Sequence, residues 1–219
     1  MKPAAREMLA SGARTLGLEL TQQQLAQLDL LAEELKKWNK KINLTAITDD
    51  EGIATKHLVD SLTLLKVVRG PGRLLDLGSG GGFPCIPVKV VEPTLAMVSV
   101  DAVVKKISFQ KNAARVLGLA NFETLHARGE LLAEQYPASF DWIVSRAFSD
   151  LPTFVSMALP LLKPEGRIVA MKGPGGKQEA DEAKVKLESL GVELVGLQEF
   201  QLPGTSDQRS LLIYRISKN

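Results

Sequence analysis

Asp76 stands in an apolar run, Leu74, Leu75 and Leu77, that breaks at once into four glycines within five positions, Gly78 to Gly82. The run reads as a buried strand. The glycines read as a tight turn that needs φ > 0 or close approach of a ligand. Strand and turn together make a cofactor loop of the nucleotide type, at the carboxyl end of a first parallel strand. A dinucleotide fingerprint requires glycines at relative positions one, three and six. Gly78 and Gly80 fill the first two, but Phe83 takes the sixth and would crowd a pyrophosphate. An acid two residues before the first glycine answers a cationic ligand, directly or through water, and repels a diphosphate. Asp101 follows 25 residues after Asp76, where a carboxylate can accept hydrogen bonds from ribose hydroxyls. Loop and acid therefore favour S-adenosylmethionine, a sulfonium and ammonium ligand without phosphate, over a nicotinamide cofactor.

The elements that must position these residues follow a clear order. Residues 1–70 read as a helical extension and 71–219 as a cofactor-binding domain. Thr21 and Gln24 fit a capping box, and Leu25, Leu28, Leu31, Leu35, Trp38 and Ile42 then form one apolar helix face. Asp49, Asp50 and Glu51 suit the first turn of a further helix over about 50–68, stopped by Gly70-Pro71-Gly72. From Arg73 the pattern alternates, with strands expected at 74–77, 95–100, 122–126, 140–145 and 166–171. Helices are expected at 84–91, 105–117, 130–135, 151–162 and 177–190. Two last β runs, 192–200 and 210–216, have no helix between them and should pair antiparallel. The fold class is α/β: a doubly wound, mostly parallel Rossmann-like sheet with a C-terminal antiparallel hairpin, its ligands at the strands' carboxyl ends.

Composition narrows the classes. The 219 residues suffice for one α/β domain with a sizeable core. A net charge of +2 is too weak to argue nucleic-acid binding by itself. One cysteine, Cys85, excludes an internal disulfide framework, and with only His57 and His126 it builds no zinc site, so no metal is expected. The first residues lack a hydrophobic signal core and no long apolar run follows, which predicts a cytoplasmic protein with no membrane partner.

Several blocks carry a resemblance. Trp38-Asn39-Lys40-Lys41-Ile42-Asn43-Leu44-Thr45-Ala46-Ile47, His57-Leu58-Val59-Asp60-Ser61-Leu62, the glycine loop into Phe83-Pro84, and Lys105-Lys106-Ile107-Ser108-Phe109 are four of them. His126-Ala127-Arg128-Gly129-Glu130, Ser145-Arg146-Ala147 and Met171-Lys172-Gly173 complete the set. Across nearly its whole length the chain resembles the RsmG (GidB) family of small-subunit ribosomal RNA guanine-N7 methyltransferases. The resemblance implies a class I methyltransferase fold, S-adenosylmethionine as cofactor, and 16S ribosomal RNA or a ribosomal particle as partner. It places cofactor contacts on Gly78, Phe83, Gly129, Glu130 and Arg146, beside Asp101. The chain departs from the family's usual glycine at Cys85, and has Gly129 where Ala or Val is common. Because guanine N7 carries no proton, the implied chemistry needs no general base, and no catalytic histidine or aspartate is expected. Positioning should carry the reaction.

Each remaining candidate has a plainer reading beside it. Arg146, at a strand end, can close over cofactor or hold RNA, or can simply pair with Asp150. Ser145 and Lys172 stand on the expected substrate side; Lys172, before Gly173-Pro174-Gly175-Gly176, suits a phosphate or guanine O6 contact, or is a solvated lysine. His57, Asp60 and Ser61 have a hydrolase triad's composition, yet at i, i+3 and i+4 with no glycine elbow they suit capping, packing or an inter-helix bond. Lys36, Lys37, Lys40 and Lys41 around Trp38, with Lys105, Lys106, Lys111 and Arg115, can build a basic face for RNA or a solvated helix end. Two alternatives in other classes stay open: a non-catalytic RNA-binding or assembly module that retains the fold, and an NAD-dependent oxidoreductase.

Overall fold

Seven strands form one sheet in the order β3-β2-β1-β4-β5-β7-β6 in a computed structural model that describes residues 1–129, 132–146, 148 and 150–217. The strands are β1 Gly72–Leu77, β2 Leu95–Asp101, β3 Phe122–His126, β4 Phe140–Arg146, β5 Leu162–Lys172, β6 Val192–Gln201 and β7 Gln208–Ile216. β1 to β5 are parallel, and β7 runs antiparallel to both β5 and β6. The order reverses between β1 and β4, which opens a crevice above the carboxyl end of β1, where open α/β sheets take ligands.

Alternation along each strand sends side chains to opposite layers. Leu74, Val144, Val169 and Leu211 point into a core shared with α1 (Pro3–Thr15) and α2 (Gln22–Asn39). The same core takes in α4 (Cys85–Val91) and α5 (Val104–Leu117). Leu75, Ile143, Ile168 and Leu212 point the other way, against α6 (Leu151–Ala158) and α7 (Gly176–Ser189). Thr21 and Gln24 close the expected capping box in both directions. The N-terminal helices thus bury Leu9, Leu28, Leu31 and Leu35 on the same core as the sheet; truncating any of these leucines to alanine costs about 2–5 kcal/mol.

Between α2 and β1 lies a segment, α3, in four pieces. It is α-helical over Asp50–Gly52, π-helical over Ile53–Val59, α-helical over Asp60–Leu62 and 3₁₀ over Thr63–Lys66. The apolar spacing predicts a single helix and says nothing of the π stretch, which carries Lys56 and His57. The helix expected over 151–162 stops at Ala158 and tightens into a 3₁₀ turn, Leu159–Leu161, because Pro160 cannot continue it. β5 accordingly starts at Leu162, four residues before the expected strand, pairing with Phe140 across a bulge. Of the short helix expected over 130–135, residues 130 and 131 lie outside the described residues, and 132–135 form a bend and turns. Among the described residues no helix is long and apolar enough to cross a membrane, and no group of three His, Cys, Asp or Glu is placed to hold a metal.

Candidate cofactor cleft and its neighbour

The glycine loop turns where its backbone requires it. Gly78 and Gly80 have φ of 75° and 59°, and a Cβ on either would meet no atom closer than Phe148 at 4.0 Å, so their open faces are free for a ligand. Gly82, at φ 80°, differs: its Cβ would fall 2.3 Å from Ile86 Cδ1, so this glycine is there for packing. Asp101 holds the loop from the neighbouring strand. Its Oδ2 accepts from Gly80 N at 2.9 Å and its Oδ1 from Val103 N at 2.8 Å. Each oxygen keeps a further lone pair for a ligand hydroxyl.

A buried polar net braces the loop from beneath. Gln110, on the buried face of α5, donates from Nε2 to Ser79 Oγ and Gly80 O, both at 2.8 Å, and its Oε1 accepts from Ser99 Oγ. Asp76 lies under this turn with no exposure. Its Oδ2 accepts from Cys85 N at 3.2 Å, whereas Oδ1 has no partner. Burial pushes this carboxyl up to about 7, and burial with Asp76 beside it pushes the Cys85 thiol well above its usual range. Once ionised, this carboxylate, with one unsatisfied oxygen next to a loop with open glycines, is a fitting counter-charge for the ammonium and sulfonium of S-adenosylmethionine.

A second chain of contacts reaches the loop from the N-terminal segment. Asn39 Oδ1 accepts from Leu44 N at 2.7 Å and Thr45 N at 3.0 Å, and Nδ2 donates to Thr45 O at 2.9 Å. Thr45 Oγ1, fixed by that loop, lies 2.7 Å from His57 Nε2. The His57 ring stacks on Phe83, and the Arg146 guanidinium sits 5.5 Å from the Phe83 centroid. Arg146 Nη1 then donates to Asp60 Oδ2 at 3.1 Å, and Arg209 Nε donates to Asp60 Oδ1 at 2.7 Å. Burial, with Arg146 nearby, pushes His57 down to about 4, so its imidazole is neutral at pH 7. Ser61 Oγ donates to the His57 carbonyl at 2.6 Å, so these residues form no triad.

Two cavities open side by side at the carboxyl edge of the sheet. One, of about 340 Å³, is walled by Leu77, Gly78, Asp101, Gly129, Phe148 and Met157, at the ends of β1, β2 and β3. The other, of about 440 Å³, lies between α3, the ends of β4 and β5, and the start of β7. Both have the size of small-ligand sites.

The expected site residues divide between these places. Gly78, Asp101 and Gly129 line the first cavity, and Arg146 and Lys172 the second. Phe83 is buried between His57 and Arg146. Glu130 lies outside the described residues. Ser145, expected on the substrate side, is instead buried in the sheet, its Oγ donating to Leu77 O at 2.6 Å. Arg146 pairs with Asp60 and not with Asp150, which caps α6 through Thr153 N. Lys172 is no solvated lysine: it donates to Glu179 Oε1 at 2.7 Å and Phe148 O at 2.8 Å. In the basic cluster, Lys36 pairs with Glu33 and Asp50, Lys37 with Glu34, and Trp38 packs edge-on against Phe109. Sequence reading missed Gln110, Phe148, Met157 and Arg209. Gln110 alone left a local signal, a polar residue three positions after Ile107 on an otherwise apolar helix face.

Comparison with known proteins agrees with this architecture. Residues 24–211 match the family GidB, described as rRNA small subunit methyltransferase G. A protein of Geobacter sp. (strain M21) named ribosomal RNA small subunit methyltransferase G is 66% identical over 213 residues, 97% of this chain and 98% of that one. Its namesake in Geotalea uraniireducens is 57% identical over 213 residues, 97% of each chain. Among solved structures, M. jannaschii TYW2 in complex with AdoMet superposes with a TM-score of 0.57 at 11% identity, covering 72% of this chain and 74% of that one, a likeness of fold.

Proposed function

The chain belongs to the rRNA small subunit methyltransferase G family, and from that premise we propose that it transfers a methyl group from S-adenosylmethionine to N7 of a guanine in 16S ribosomal RNA. The observation that carries the reading is the meeting of the family match with a cleft suited to the donor. Open glycines at Gly78 and Gly80 follow the buried Asp76, whose Oδ1 has no hydrogen-bond partner, with Asp101 on the next strand. Residues 71–219 act as the cofactor-binding domain and 1–70 as the extension that shapes its acceptor side. The cofactor is held by Gly78, Phe83, Asp101, Gly129, Glu130 and Arg146, and no metal takes part.

When bound beside Gly78, Asp101 and Gly129, the donor would supply an electrophilic methyl group to the N7 lone pair of the acceptor guanine. N7 carries no proton, so the chain needs no general base. His57, neutral and stacked on Phe83, holds the loop and moves no proton. The protein's contribution is alignment: Asp101 and Gln110 fix the glycine turn, and His57 and Arg146 pack against Phe83. The acceptor is a ribosomal RNA in the cytoplasm, free or in a particle, with the base presented unpaired so that its N7 edge is accessible.

The test is transfer of tritium from labelled S-adenosylmethionine into 16S rRNA of a strain lacking the activity, followed by mapping of the methyl group. Transfer into protein or small molecules alone would remove the reading. If Gly78→Asp abolishes cofactor binding and the cellular role persists, the chain serves as an RNA-binding module.

A further inference from the structure

The larger cavity carries an unbalanced charge. Asp60 is shared by two guanidiniums, Arg146 and Arg209, and all three side chains are largely sequestered, at 6%, 21% and 21% exposure. Lys56, on the π-helical stretch, adds a third cation at the rim. Its partner Asp207, at 3.2 Å, is also approached by Arg209 Nη2 at 3.5 Å. With Lys172 and its partner Glu179 included, four cations against three carboxylates leave a net charge of 4 − 3 = +1 facing a partly desolvated cavity. Such a charge is costly unless an anion shares it, and planar guanidiniums suit a phosphate.

The elements that supply these cations set the second condition. Lys56 comes from α3, and Arg209 opens β7, whose antiparallel register puts Ser210 opposite Lys172 and so brings the strand's start to the carboxyl edge of β5. Neither lines the cleft at the ends of β1 to β3, and Arg146, 5.5 Å from the Phe83 centroid, likewise lines only the larger cavity.

We propose that this cavity binds a backbone phosphate of the acceptor RNA strand beside the guanine to be methylated, with Arg209 and Lys56 as its ligands. The assignment rests on the rRNA methyltransferase reading and extends it to the residues that seat the acceptor. Asp60 holds Arg209 Nε, Gln208 O accepts from Nη1 at 2.9 Å and Asp207 lies 3.5 Å from Nη2, which leaves one N–H on each terminal nitrogen for the phosphate. The loop of Gly173 to Gly175, which borders the cavity, leaves its backbone open to solvent and to the strand, with no atom within 4 Å of a Cβ placed on Gly173 or Gly175.

The experiment compares wild type, Lys56→Gln, Arg209→Gln and Arg209→Lys for S-adenosylmethionine affinity by calorimetry and for methyl transfer to unmethylated 16S rRNA or small subunits at several salt concentrations. For Lys56→Gln and Arg209→Gln, cofactor affinity stays within about twofold of wild type while the apparent KM for RNA rises about tenfold or more. The salt slope of RNA binding falls by about one unit for each cation removed, and Arg209→Lys restores part of the loss. Equal weakening of cofactor binding with unchanged KM for RNA would overturn the assignment, because the cavity's anion would then be the cofactor's own carboxylate. Unchanged values throughout would overturn it too, leaving a purely structural ion pair. Should Arg209→Gln fail to fold, Lys56→Gln, whose ion pair is partly exposed, carries the test alone. A wild-type chain that binds cofactor but methylates no rRNA would sink the underlying reading, and this assignment with it.

Discussion

His57 and Phe83 stack with ring centroids 4.7 Å apart and planes 18° from parallel. One ring belongs to the N-terminal helical segment and the other ends the glycine loop. The shape of the cofactor loop therefore depends on residues outside the β/α alternation, back through Thr45 to Asn39.

His57 gives a first prediction, in acid. Its folded pKa, about 4, lies below the ordinary 6.5, so the unfolded chain binds more protons between those values. The contribution is fully present above about pH 6.5 and is lost as pH falls toward 4, on the order of 3 kcal/mol. His57→Gln should flatten this part of the stability profile in urea titrations between pH 4 and 7. A variant with the wild-type slope would assign the acid sensitivity elsewhere.

Asp76 acts with the opposite sign. Its folded pKa, about 7, lies above the ordinary 3.8, so its burial costs nothing below about pH 3.8 and the full amount above about 7. Asp76→Asn should stabilise the cofactor-free protein at pH 8 by on the order of 1–4 kcal/mol and leave it nearly unchanged at pH 4. The same variant should bind S-adenosylmethionine more weakly at pH 8. Thermal melts at the two pH values, paired with calorimetry, read both effects.

Two glycines of one loop should respond differently. Gly82→Ala combines a left-handed backbone with a clash on Ile86 and should cost roughly 2–4 kcal/mol in stability. Gly78→Ala meets only the backbone penalty, about 1–2 kcal/mol, but puts a methyl into the cleft. Its main loss should be in cofactor affinity, measured against melting temperature in the same samples.

Asp60→Asn removes the carboxylate that two sequestered guanidiniums share and should cost about 3–5 kcal/mol. Asp60→Glu, which keeps the charge, should recover part of that. Equal stability of the Asn variant and wild type would mean that water already screens both arginines.

How much of this was legible in the sequence follows from how far each contact reaches along the chain. The glycine turn, the strand alternation and the capping box are local, and periodicity alone locates them. Pro160 ended a helix earlier than the apolar pattern indicated, because spacing carries no record of a missing N–H. Family resemblance pointed to Arg146 as a contact, but its partner Asp60 lies 86 positions away and no local pattern links the two. Ser145 stands at a strand end, where ligands are expected, but alternation turned its hydroxyl onto a neighbouring carbonyl. The π stretch left no signal, since no Gly or Pro within Ile53–Val59 marks a departure from the α-helix.

The antiparallel return of β7 also dates the site. Asp60 and Arg209 are 149 positions apart, so their ion pair waits for the last strand to be made and zipped onto β5. The cofactor cleft, at the ends of β1 to β3, takes its lining from no residue later in the chain than Met157 of α6. A chain cut before β7 would therefore lack Arg209 to Leu211 of the larger cavity while keeping every residue that lines the cofactor cleft.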